Sequence, residues 1–182
     1  MGINEDTGNR NRLAKITHFY SSISNETMTT LDDYVDRMDP KQPAIYYIGG
    51  DSLQTVQKSP FVERLMRRNY EILYLLDPVD EYAVGHLTEH KGKRFQNIAK
   101  GDIEISESDQ VAERRAQLEV EYKEFGDRIK SILNVLISKV KLSHRLVNTS
   151  CVVVADTDGL TGNMERIMTA QTAHRAQDPT AR

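Results

Sequence analysis

Glu71-Ile72-Leu73-Tyr74-Leu75-Leu76-Asp77-Pro78-Val79-Asp80 passes from an apolar run straight into a helix start. The run is short, unbroken and without polar alternation, which suits a strand buried on both faces. Asp77 is an N-cap and Pro78 takes the first helical position, where the missing N–H costs nothing. Asp80 stands where a carboxylate meets free amides and the positive end of the helix dipole. Upstream, Ala44-Ile45-Tyr46-Tyr47-Ile48 is a similar run closed by Gly49-Gly50. Between the two, Ser59-Pro60 reads as another helix start, with Phe61, Leu65 and Met66 as its apolar side through Arg68. A third strand is expected near Phe95-Gln96-Asn97-Ile98. Strand and helix alternating over short links predict βαβ units, an α/β three-layer unit with a short parallel sheet covered by helices.

Outward from this block, residues 5–19 read as a helix with Leu13 and Ile16 on one side. Leu31, Tyr34, Val35 and Met38 are spaced as an amphipathic helix stopped by Pro40. The grammar changes after about residue 101. Val111, Leu118, Tyr122, Phe125, Ile129, Ile132 and Leu133 keep helical spacing through a long helix with a bend expected at Gly126. Val140 to Leu146 alternates like a half-buried strand, and Cys151-Val152-Val153-Val154-Ala155 reads as its neighbour. The switch predicts a boundary near residue 104. It divides an α/β unit, 1–104, from an α+β unit, 105–182, made of a long helix, a small sheet and an amphipathic helix.

That last helix is the most distinctive surface candidate. Leu160, Met164, Ile167 and Met168 fall at i, i+4, i+7 and i+8, one stripe of a helix. Thioether side chains are flexible and polarizable, so such a stripe adapts to many apolar partners. A stripe at this spacing is also what a core-facing helix displays.

The chain has 182 residues and a net charge of −3, so no global field draws it to nucleic acid. Its one cysteine, Cys151, excludes an internal disulfide framework and a cysteine-based zinc cluster. No run reaches the roughly 18 apolar residues that span a bilayer. Met1 to Asp6 has neither the basic nor the apolar region of a signal peptide. Both ends read as edges of an excised piece.

Catalytic signals are weak. Gly49-Gly50-Asp51-Ser52 stands where a phosphate loop would, yet neither GxGxxG nor GxxxxGK(S/T) is present. A tight turn with Asp51 or Ser52 capping a helix is the expected role. Asp77, Asp80 and Glu81 resemble a carboxylate cluster, but capping accounts for their spacing. Arg64, Arg67 and Arg68 form a charged face, and the five histidines, of which only His86 and His90 stand four apart, are not expected to hold a metal. Cys151 lies in an apolar run, expected buried and inert. Asn25-Glu26-Thr27 and Asn148-Thr149-Ser150 are N-glycosylation sequons, meaningful only in a luminal protein. A small-ligand enzyme using Asp77, Asp80 or Arg64 at the strand ends stays open, as does a purely structural linker.

Several segments occur together in an order that resembles the 90-kDa heat-shock chaperone family. They include Ser59-Pro60-Phe61-Val62-Glu63-Arg64-Leu65, Asp77-Pro78-Val79-Asp80-Glu81-Tyr82, Gly92-Lys93-Arg94-Phe95-Gln96-Asn97, Ser143-His144-Arg145-Leu146 and Gly162-Asn163-Met164-Glu165-Arg166-Ile167-Met168. Phe61-Val62-Glu63-Arg64 and Phe95-Gln96-Asn97 look most like the family's endoplasmic-reticulum branch. The resemblance implies that 1–104 is the C-terminal part of the middle domain and 105–182 the start of the C-terminal domain. It further implies that ATP and magnesium bind upstream of Met1 and that the helices forming the homodimer follow Arg182. The chain itself would then be non-catalytic and hold no cofactor. It would meet unfolded clients through Leu160, Met164, Ile167 and Met168, with neither nucleic acid nor membrane as a partner. The endoplasmic-reticulum lumen is the implied compartment and the cytoplasm the alternative. Two departures stand out: Leu160 replaces a bulky aromatic, and Asn134-Val135-Leu136-Ile137 is more apolar than the family's charged turn.

Overall fold

A computed structural model describes residues 6, 8–24, 27–103, 105 and 107–177, with backbone only for 171 and 173–177. In chain order the elements are α1 (Arg10–Ala14), β1 (His18–Ser21), β2 (Thr29–Thr30), α2 (Leu31–Arg37), β3 (Ala44–Gly49), α3 (Leu53–Gln57) and α4 (Glu63–Arg67). They continue with β4 (Ile72–Leu75), α5 (Pro78–Gly85), β5 (Glu89–His90), β6 (Lys93–Asn97), α6 (Asp109–Glu121), α7 (Lys123–Ile132) and α8 (Gly162–Gln177).

The strands form one six-stranded sheet in the order β2-β1-β4-β3-β6-β5. Its centre is parallel as expected: β3 pairs β4 with Tyr46 opposite Ile72, and pairs β6 with Tyr46 opposite Gln96. The outer strands correct the all-parallel expectation, because β1 runs antiparallel to both β2 and β4, and β5 antiparallel to β6. The sheet is therefore mixed.

Every residue of β4, and every residue of β3 but Gly49, is buried, which explains their unbroken apolar sequences. Alternation sorts them by face. Ile45, Tyr47, Leu73 and Leu75 join Phe19, Leu31, Tyr34 and Val84 in one core. On the alternate positions, Tyr46 stacks with Tyr70 at 6.0 Å between ring centroids. Tyr34 carries α2 into the core with its own hydroxyl satisfied, although Gln42 Oε1 and Glu71 Oε2 beside it are buried without a partner among the described residues. Its hydroxyl donates to Glu71 O at 2.6 Å and accepts from Gln42 Nε2 at 2.8 Å and Tyr46 N at 3.2 Å. Beside it, Arg37 pairs with the buried Glu71 carboxylate at 2.8 Å.

The helix expected over 5–19 is α1 alone among the described residues, and the chain then turns into β1. Burial along β1 alternates, with Phe19 and Ser21 inside and His18 outside. A period of two wins there over the helical spacing of Leu13 and Ile16, and Ile16 is exposed. Ser59-Pro60 forms a turn rather than a helix start: Val62 N donates to Ser59 O at 3.1 Å, and α4 begins three residues later. The long helix breaks at Tyr122, between α6 and α7, not at Gly126, which lies inside α7.

The strands expected at 140–146 and 151–155 do not form, so the small sheet of an α+β unit is absent among the described residues. Only an isolated parallel bridge joins Ala155 to Lys100. The chain is tied down in another way: the Arg145 side chain donates to two backbone carbonyls, and the N–H groups of 147–149 converge on Glu63.

Residues 145–182 belong to one compact unit with 1–104, and 105–144 form a second. Within the second, Arg115 bridges Glu107 at 3.0 Å and Glu119 at 3.7 Å. No residue of α6 or α7 is buried.

Candidate functional site

The sequence starts α5 as expected, with Asp77 Oδ1 accepting from Val79 N at 2.9 Å and Pro78 at the first turn. Asp80 is half-buried, and burial with the neighbouring Asp77 charge pushes its carboxyl up. Glu81 shares the inward side of the helix with the buried Val84. A carboxylate there needs compensation, because an unpartnered buried charge costs several kcal/mol. Three donors supply it. Glu81 Oε1 accepts from Thr161 Oγ1 at 2.8 Å and from Asn97 Nδ2 at 3.2 Å, while Oε2 accepts from Asn163 Nδ2 at 3.0 Å.

Two of those donors stand at the head of α8. Thr161 is buried and works twice, donating to Glu81 and accepting from Met164 N at 3.1 Å as the helix cap. The glycine pair at the C-terminal end of β3, Gly49 within it and Gly50 just beyond, makes this approach feasible. A Cβ on Gly49 would lie 2.2 Å from Glu81 Oε2, and one on Gly50 would lie 2.4 Å from Val56 Cγ1. Outside this cluster, Arg166 Nη1 meets Asp51 Oδ2 at 2.9 Å, an exposed pair of small worth. Ser52 caps α3 by accepting from Thr55 N at 3.3 Å, so the turn-and-cap reading of Gly49 to Ser52 is what the backbone shows.

The stripe leaves this anchor. Met164 and Ile167 are half-buried, while Leu160 is 51% and Met168 47% exposed, so the stripe is not consumed as core. Leu160 precedes the Thr161 cap. The helical stripe proper is therefore Met164, Ile167 and Met168, with Leu160 beside its start.

A crevice of about 220 Å³ lies at the C-terminal end of β3, lined by Gly49, Thr55, Val56, Phe61, Ala155 and Thr161 among others. Asp77, Asp80 and Arg64 do not line it, so the structure does not gather the residues that an enzyme reading needs. Among the described residues no group of three or more His, Cys, Asp or Glu could hold a metal ion. Cys151 is exposed, which corrects the expectation of a buried thiol; its apolar neighbours form no strand to cover it. Of the two sequons, Asn148 is exposed, and Asn25 lies outside the described residues.

A second anchor holds 145–149. Arg145, 3% exposed, donates to Ile98 O at 2.8 Å and to Gly101 O, with its guanidinium 5.7 Å over the Phe61 ring. Glu63 Oε2 accepts from Val147 N and Asn148 N at 2.8 and 2.9 Å, and Oε1 accepts from Thr149 Oγ1 at 2.8 Å. The Asn148 N–H, then the Thr149 hydroxyl and the Val147 N–H, hold the Glu63 carboxyl down at about 2. The sequence offers Glu81 only as one of a carboxylate cluster explained by capping, and Glu63 and Arg145 only within segments that carry the family resemblance. The available signal was Glu81 itself, an acid at the spacing of an apolar helix face.

Comparison with known proteins follows the same lines. A family model for Hsp90 protein matches residues 1–181. The chain is 45% identical over 181 residues to the Endoplasmin homolog of Caenorhabditis elegans, covering 99% of this chain and 24% of that protein. It is 41% identical over 171 residues to Heat shock protein 90-5, chloroplastic, of Arabidopsis thaliana, covering 94% and 22%. Each relative is matched over about a quarter of its length. Among solved structures, the middle domain of a Plasmodium falciparum heat shock protein superposes with a TM-score of 0.53 at 37% identity, over 55% of this chain and 42% of that one. The mixed sheet and its helices are thus similar to that middle domain.

Proposed function

This chain belongs to the Hsp90 family, and from that premise we propose that it is the client-binding and conformational-coupling segment of an ATP-dependent chaperone. In this reading 1–104 is the end of the middle domain and 105–182 the start of the C-terminal domain. ATP and magnesium act elsewhere in the whole protein, and the segment is non-catalytic. Homodimerisation belongs to the whole protein too, and the partners of the segment are unfolded or partly folded chains.

The observation that carries the reading is the placement of α8. Its head is fixed to α5 through Thr161 and Asn163 on Glu81, which Asn97 of β6 also holds, while Met168 and Leu160 stay about half exposed. A rigid root with an adaptable apolar surface can follow movements of the sheet unit and present thioethers to varied sequences. Burial of that surface contributes about 25 cal/mol per Å² before ordering costs, so binding through it is weak and reversible. The match to the Endoplasmin homolog supports the endoplasmic-reticulum lumen, with other compartments open to the family, as the chloroplastic relative illustrates.

The test is suppression of aggregation of a denatured client by the chain carrying Met164→Ser with Met168→Ser. Loss of suppression with an unchanged melting curve supports the reading. An unfolded double variant would make the stripe core instead.

A further inference from the structure

We propose that Asn148 is an N-glycan acceptor and that the fold around Glu63 presents its sequon ready-made. The inference rests on the luminal compartment proposed above. The sequon Asn148-Thr149-Ser150 requires the Asn amide and the hydroxyl two residues later to be reached together, with any residue but proline between them. A glycan is bulky and solvated, so the site must also lie on a surface loop.

The backbone meets these demands by alternation. Thr149, the spacer, turns inward: it is half-buried and its hydroxyl donates to Glu63 Oε1 at 2.8 Å. Asn148 and Ser150 lie on either side of it, and both are exposed. Among the described residues, neither the Asn148 side-chain amide nor the Ser150 hydroxyl is committed to a hydrogen bond; Asn148 engages Glu63 only through its backbone N–H. The two groups that a transferase must read are therefore both outside, and the one it does not read is inside. Residues 147–150 belong to no helix or strand, so attaching a glycan breaks no ladder. Arg145, buried just upstream, fixes the loop while leaving its outer side open.

The chemistry is a transfer from a lipid-linked oligosaccharide pyrophosphate. Asn148 Nδ2 forms the bond to the sugar C1 and gives up a proton, and the C1–O bond to the lipid pyrophosphate breaks as that group leaves. Nothing is oxidised or reduced. The attached sugar would project from the surface and leave the Glu63 contacts intact, since those use backbone N–H groups and Thr149.

The experiment expresses the full chain behind a cleavable secretion signal in eukaryotic cells, with Asn25→Gln present to silence the other sequon. The chain should migrate as a larger species that a peptide-N-glycosidase returns to its unmodified size. Asn148→Gln and Ser150→Ala should each abolish the shift, and Thr149→Val should retain it. An unshifted secreted chain would overturn the proposal while leaving the compartment unaffected, because the signal supplies entry. A shift that survives Asn148→Gln would overturn it equally.

Discussion

Thr161 donates a 2.8 Å hydrogen bond to Glu81, joining the cap of the last helix to the first turns of a helix eighty residues earlier in the chain. The bond is buried and charge-assisted, and it is shared with the cap itself, since the same oxygen accepts from Met164 N. Two elements are thereby locked by one hydroxyl.

Thr161→Val should cost about 1–3 kcal/mol, because it removes a cap and leaves a carboxylate oxygen one donor short. The loss should be local. Amide hydrogen exchange is expected to quicken across 162–170 while β3 and β4 keep their protection. Equal loss of protection in the sheet would mean that α8 unfolds only globally.

Gly49→Ala should destabilise by about 1–3 kcal/mol, since the new Cβ would lie 2.2 Å from Glu81 Oε2 and the carboxylate would have to leave its donors. Thermal melts of Gly49→Ala, Thr161→Val and the combination test the coupling. Non-additive losses are expected, because both substitutions disturb one cluster.

Glu63 gives the fold an acid-sensitive contact. Its carboxyl falls from 4.5 to about 2 on folding, so its contribution is present above 4.5 and fades as pH drops from there to about 2. Glu63→Gln should flatten this part of the stability curve and loosen 147–149 at neutral pH. Denaturant melts of the two proteins between pH 5 and 3 should converge as the pH falls; parallel curves would remove Glu63 from the account.

Tyr34→Phe should cost about 1–3 kcal/mol by leaving Glu71 O, Gln42 Nε2 and Tyr46 N without their shared partner. Urea melts should show a lower midpoint at unchanged slope.

What was legible in the sequence was local. β3 and β4 announce themselves because burial on both faces demands unbroken apolar runs, and Asp77-Pro78 announces α5 because free amides demand a cap. The antiparallel strand β1 was hidden, since Leu13 and Ile16 mimic helical spacing just before alternation begins at His18. The 140–155 region misled for the opposite reason. Its alternation is genuine, yet the partners of Arg145 and the N–H groups of 147–149 lie on Ile98, Gly101 and Glu63, far away in sequence. The stripe on α8 was visible as spacing. Its root was not, because no local pattern reveals that Glu81 and Thr161 meet.

The most direct test of the central claim is client binding by the intact chain and by Met164→Ser with Met168→Ser, measured on one denatured client at equal folded concentration. Binding should fall several-fold in the variant, with α8 still protected in hydrogen exchange. Undiminished binding by a folded variant would contradict the assignment of Leu160, Met164, Ile167 and Met168 as the client surface.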